Sequence, residues 1–194
     1  MSTQFSMLQL FNAALLAQGQ EEIVSESDGS IEWRLLARNW PGIVEAELED
    51  GAYHFTREQA FLQARSDGRF GFRDAFMVPP VALHVRRVWV DNMPEIDWTQ
   101  DGSHVHVDRA DGVWAEYVIV SNPDLWSANF AKGVQCKLEA VILRAIKEEF
   151  NEALGMEQQA EIYFQRARTN TSKARSSTEP YRGGRFGRAR FGLG

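Results

Sequence analysis

The sequence predicts an α+β protein: a four-helix bundle core interrupted by a small antiparallel β domain, followed by an extended C-terminal tail. Three observations predict it. Apolar residues recur at helical spacing towards both ends of the chain but not in its middle. The middle alternates apolar and polar residues between Gly, Pro and Asp-Gly breaks. The final stretch loses all periodicity and turns into Arg, Gly and Phe. Helices and strands held in separate runs mean α+β rather than an alternating α/β sheet.

The elements follow in order. Met7, Phe11, Ala14 and Leu15 share a helix face over residues 6–18, and Gly19 stops it. Asp28-Gly29-Ser30 makes a turn that offers Ser30 as an N-cap. Trp33, Leu36, Ala37, Trp40, Val44 and Leu48 then form a second stripe, which ends near Asp50-Gly51. Pro41 lies inside that stripe and is expected to kink or split the helix. Tyr53, Phe55, Phe61 and Leu62 sit in a strand-like stretch. Ser66-Asp67-Gly68 and Phe70-Gly71-Phe72 read as turn and loop, and Pro79-Pro80 punctuates.

Val81 to Val90 alternates, with Val81, Leu83 and Val85 on one face and His84 and Arg86 on the other. Asp101-Gly102 is a hairpin signal between Ile96-Asp97-Trp98 and Val105-His106-Val107. Asp111-Gly112 turns into Val113 to Val120. The expected β unit has four to six short strands. Phe130, Val134, Leu138, Val141, Ile142, Ala145 and Ile146 define a long third helix, broken at Leu154-Gly155. Met156, Ala160, Tyr163, Phe164 and Ala167 define the fourth. The expected units are residues 1–51 (N-terminal helices), 52–121 (β insertion), 122–177 (C-terminal helices) and 178–194 (basic docking tail).

Charge divides the chain sharply. Residues 166–194 carry eight Lys/Arg and one acid; the rest carries thirteen Lys/Arg and twenty-six acids. A body near −13 is joined to a tail near +7. An acidic body argues against a nucleic-acid surface on the folded part. No run approaches the ~18 apolar residues of a membrane span, so no membrane partner is expected. Met1 to Ser6 lacks the basic start and cleavage site of a signal peptide. The lone Cys136 excludes an internal disulfide, and synthesis in a reducing cytoplasm is expected.

Candidate chemistry is sparse. Alternation places His104, His106 and Asp108 on one strand face, a three-ligand pattern. Polar residues on the solvent face of a hairpin read the same way, and no further Cys or His completes a site. His54 and His84 read as ordinary strand residues. Cys136 lies on or beside the third helix's apolar stripe and reads as a small buried hydrophobe, not a nucleophile. No serine elbow, P-loop or dinucleotide fingerprint occurs. Glu148, Glu149 and Glu152 with Lys147 read as a solvated helix face or a contact with a neighbour's basic groups. The six tryptophans read mostly as core, some at subunit interfaces. The expectation is a protein without catalytic residues, metal or cofactor.

The tail reads as a docking arm. Gly-rich and basic, it buries too little apolar surface to fold alone. It can order on a partner that offers carboxylates to arginine and pockets to phenylalanine. Tyr181, Arg182, Arg185, Phe186, Arg188, Arg190 and Phe191 are the candidate docking residues. The five-residue spacing of Phe186 and Phe191 suits an extended strap better than a helix face. An RNA arm is weaker, since Arg182-Gly183-Gly184 is a single repeat unit. A solubilising end is the remaining alternative.

Several marks, in order, resemble one family. A helix with Trp40-Pro41 runs to Leu48, and Tyr53-His54-Phe55 follows where the family often has Trp-x-Phe. Phe70-Gly71-Phe72 leads through Met77-Val78-Pro79 to a strand; Val81 stands where the family often has Asp. Asp101-Gly102 and Val107-Asp108 precede Trp114-Ala115-Glu116-Tyr117-Val118. Asn122-Pro123-Asp124, Trp126 and Phe130 then enter the long helix. Over about residues 6–178 the chain resembles the head–tail adaptors of tailed bacteriophages, the tail tubular protein A family.

The resemblance implies a virion structural protein of the neck, at the head–tail interface. Such adaptors form a ring, typically of twelve subunits, beneath the portal protein. The ring extends the DNA channel and presents a platform for tail or nozzle proteins. The helices pack against neighbouring subunits, the β part faces tail-ward components, and the C-terminal segment reaches the portal. Double-stranded DNA would pass without sequence-specific binding, and an acidic wall would let it slide. The alternatives are another neck or tail protein, such as a tail terminator, or a nucleic-acid-binding module using the Arg/Gly/Phe arm.

Overall fold

The computed structural model describes residues 5–26, 29–51, 53–90, 93–95 and 97–173. The elements run α1 (Met7–Ala17), α2 (Ile31–Asp50), β1 (Arg57–Leu62), β2 (Arg65–Asp67), β3 (Asp74–Met77), β4 (Ala82–Val90), β5 (Met93–Glu95), β6 (Thr99–Asp101), β7 (His104–Val107), β8 (Val113–Ile119), α3 (Ala128–Ile142) and α4 (Phe150–Lys173). The class is α+β, but the expected helical bundle with a small β insertion is wrong. Among the described residues, eight strands form two four-stranded antiparallel sheets, and they make a substantial β domain with a core of its own.

The first sheet has the order β1-β8-β4-β5 and the second β2-β3-β7-β6. Leu62, Val88, Val113 and Ala115 of the first meet Phe76, Val105 and Val107 of the second in one buried cluster. This is the face-to-face packing of a sandwich. The strand count exceeds the sequence expectation because edge strands bury little. Arg65-Ser66-Asp67 is exposed throughout and has turn composition, yet it pairs with Asp74–Phe76.

The strict alternation expected from Val81 to Val90 also fails. Register shifts fall between Ala82 and His84 and between Val85 and Arg87. Such bulges re-aim the side chains that follow. Leu83 consequently packs on the helical core while Val85 and Val88 enter the sandwich, and Val81 is exposed. Asp101-Gly102 does turn a hairpin: Asp101 pairs with His104 across Gly102, whose φ is +54°.

The helical core is separate. α1, α2 and α4 each pack on α3, with Phe11, Leu36, Leu48, Phe130, Leu138 and Phe164 buried among them. Ser6 caps α1 by accepting from the Gln9 amide, while the Gln9 side-chain oxygen accepts from the Ser6 amide. Ser30 caps α2 by accepting from the Trp33 amide. Pro41 does not split α2. It lies on the exposed side, while Leu36, Val44 and Leu48 hold the buried side, and the helix runs on through it.

The break between the last two helices comes earlier than Leu154-Gly155. A π-helical turn spans Leu143–Lys147, and Glu148 adopts a left-handed conformation at φ +57°. α4 then runs through Gly155, whose helical cost of about 1 kcal/mol is small beside the packing of this helix. Val118 of β8 joins the helical core, so the strand that centres the sandwich also anchors it to the helices.

Candidate functional site

The histidine cluster does not assemble a metal site. β7 is buried on both faces, so His106 is buried rather than solvent-facing. Its Nδ1 accepts from the Arg69 amide at 3.1 Å, and the Phe70 ring meets it edge-on. His104 pairs with Ser103 at 3.2 Å, and Asp108 accepts from the Arg73 amide at 2.8 Å. His106 and Asp108 tie down the loop that carries Arg69 and Arg73. No group of three metal-ligating residues occurs among the described residues. The same contacts hold the aromatic loop over the second sheet. Phe70, at φ +57°, is 68% exposed at its tip, and a side chain at Gly68 would strike the Phe72 carbonyl at 2.2 Å.

Cys136 is buried on α3. Burial, reinforced by Glu139 and opposed by Lys132, raises its thiol above the ordinary value. That is the environment of a structural cysteine, not an activated thiolate. Trp33, Trp40 and Trp126 pack in or against the helical core. Trp114 instead stands 42% exposed on the outer face of the first sheet, between its register partners Phe61 and Trp89.

The described polar centre of most interest lies where α2 and α4 end. Arg168 of α4 binds Glu47 of α2 at 2.8 Å, pairs with Glu161, and lies 3.7 Å from Asp50. The Tyr53 hydroxyl donates to the same Glu47 carboxylate. His54 and Thr171 meet at 3.3 Å one turn further along α4. Burial raises Glu47 above the usual carboxylate range, against the lowering effects of Tyr53 and Arg168. Burial and the Glu47 bond raise Tyr53 so far that it stays protonated. Burial lowers the Arg168 value, but Tyr53 and the surrounding carboxylates outweigh it and hold the guanidinium charged.

This cluster fixes the end of α4, the last described element, to α2. Sequence reasoning missed it. Glu47 and Arg168 lie 121 residues apart, and each flanks an apolar stripe as an ordinary helix-surface charge does. Beside the cluster, α2 and α4 straddle α3 and leave an open groove of about 850 Å³. Ile43 and Val141 line its apolar part above the fully buried Phe164; Glu47, Glu49 and Asp50 line one end, and Arg38, Lys137 and the Arg144–Glu157 pair the other.

The docking residues read from the sequence, Tyr181, Arg182, Arg185, Phe186, Arg188, Arg190 and Phe191, lie outside the described residues. No protein-family model matches the chain, and no curated protein matches it significantly. The likeness to head–tail adaptors therefore stands on the residues quoted for it.

Proposed function

We propose that this protein is a non-enzymatic head–tail adaptor of a tailed-phage neck, which joins a portal ring through its basic C-terminal arm. The observation that carries the reading is the division of the chain into an acidic folded body and a basic Arg/Phe arm. The arm starts at a helix end pinned by Arg168. The order of helices, sheets, helices and arm agrees with what the resemblance implies. Exposed apolar side chains on the helices, Ile31 at one place and Phe150 at another, suit packing against neighbouring copies.

In this reading the arm orders on the portal. Arg182, Arg185, Arg188 and Arg190 make charge-assisted contacts, and Phe186 and Phe191 fill pockets. Ordering costs roughly 1–2 kcal/mol of backbone entropy per residue, and repeated attachment around a ring offsets it. The test mixes purified protein with empty portal rings, using the full chain, a chain ending at Ser177 and a Phe186→Ala/Phe191→Ala variant. Binding by the full chain alone, with both variants folded, is the expected result. Equal binding by all three would remove the arm from the reading. No binding by any would point to a tail-side neck protein instead.

A further inference from the structure

We infer that, in the unassembled chain, the C-terminal arm folds back into the groove between α2 and α4 of its own body. Its arginines meet the acidic end of α2, and Phe186 rests on the apolar floor. The inference deepens the portal reading by giving the same arm a resting place that the portal must displace.

Charge is the first argument. α2 ends in Glu47, Glu49 and Asp50 and has no basic residue in its last turn. Its C-terminal carbonyls add a partial negative charge there. Nearby, Arg168 is committed to Glu47 and Glu161 and Arg86 donates to the Gly51 carbonyl at 3.4 Å, while His84, which feels Glu49, is pushed towards its neutral form by burial and Arg86. Asp50 keeps 83% of its side chain exposed, and Glu49 is exposed as well. The arm, residues 174–194, carries five arginines and one acid. A helix end with surplus negative charge is a match for closely spaced guanidinium groups.

Reach is the second. α4 ends beside this acidic end, because Arg168 and Thr171 touch Glu47 and His54 there. From Asp50 back to Arg38, α2 covers about 18 Å at 1.5 Å per residue. An extended chain spans that in about six residues. Phe186 follows Ser172 by fourteen residues, enough to turn and enter the groove with slack. Arg38 and Lys137 at the far end repel the arm, which confines it to the acidic half and to the half-buried Ile43 beneath.

The test places the photo-crosslinking residue p-benzoylphenylalanine at position 186 of the full chain and irradiates it at high dilution. Mass mapping is expected to find intrachain links to residues 42–50 and 157–168. A Glu49→Lys/Asp50→Lys variant, checked for folding by circular dichroism, should lose at least about fivefold in link yield. Salt near 1 M, where the screening length is about 3 Å, should lower the yield of the unaltered body in the same way. Links scattered over the surface, or between chains in proportion to concentration, would overturn the inference. So would yields indifferent to both charge reversal and salt. No portal enters the experiment, so such a failure leaves the adaptor reading standing.

Discussion

Glu47 is the residue on which three parts of the chain converge: α2, the Tyr53 turn and α4. Its carboxyl is raised by burial more than Tyr53 and Arg168 lower it. The folded state therefore holds a proton more tightly than the unfolded chain does. The corresponding stability is fully present below the unfolded value and is lost as pH rises through the folded one. Glu47→Gln removes this dependence. In urea titrations from about pH 4 to 7, the wild type should lose stability relative to the Gln variant as pH rises. A gap that is constant with pH, or that moves the other way, would show that its site does not raise Glu47. None of this was legible in the sequence, where Glu47 differs in no visible way from Glu45 or Glu49. Burial set by a partner 121 residues away made the difference. His106 carries the same lesson. Its strand position was legible, but the second buried face of β7 depends on a loop that folds back from residues 68–73.

At the scale of elements, α3 and α4 approach closely enough that one residue sets their spacing. A Cβ at Gly133 would lie 2.5 Å from the Phe164 ring, which is fully buried and cannot swing away into solvent. Gly133→Ala should destabilise the fold by roughly 1–3 kcal/mol, the usual cost of overpacking. A lower thermal midpoint with unchanged far-ultraviolet dichroism checks it; an unchanged or raised midpoint would mean that the two helices separate freely. Elements with local signals were legible: the Ser30 cap, the Gly19 stop and the Asp101-Gly102 hairpin each follow from side chains within a few residues. Elements decided by tertiary context were not. Glu148 takes the left-handed break that Gly155 seemed made for, because packing continues across Ala153 and Ala160. Edge strand β2 has no apolar face to announce it.

For the whole molecule, the arm was legible at once, because charge segregation needs no structure. The groove and its acidic end appeared only when helices distant in sequence were brought together. The surface carries a further consequence for assembly. Val24 and Ile31, before and at the start of α2, are 89% and 68% exposed; Phe150 and Leu154 of α4 are 65% and 51% exposed. The two sets share no residue. If each set met its own kind, each contact would be two-fold, and either set alone would pair copies into dimers. If one set meets the other, association runs head to tail and closes only as a ring. The adaptor reading requires the second case, and complementation separates the two. Val24→Asp/Ile31→Asp and Phe150→Asp/Leu154→Asp variants should each fold, since the altered side chains are exposed, and each should stay monomeric at concentrations where the parent self-associates. Mixed together, they should form dimers and nothing larger, because each contributes its one intact surface. Light scattering on the separated species reads this directly. Dimers from either variant alone, or no association in the mixture, would rule out a head-to-tail contact between these two surfaces.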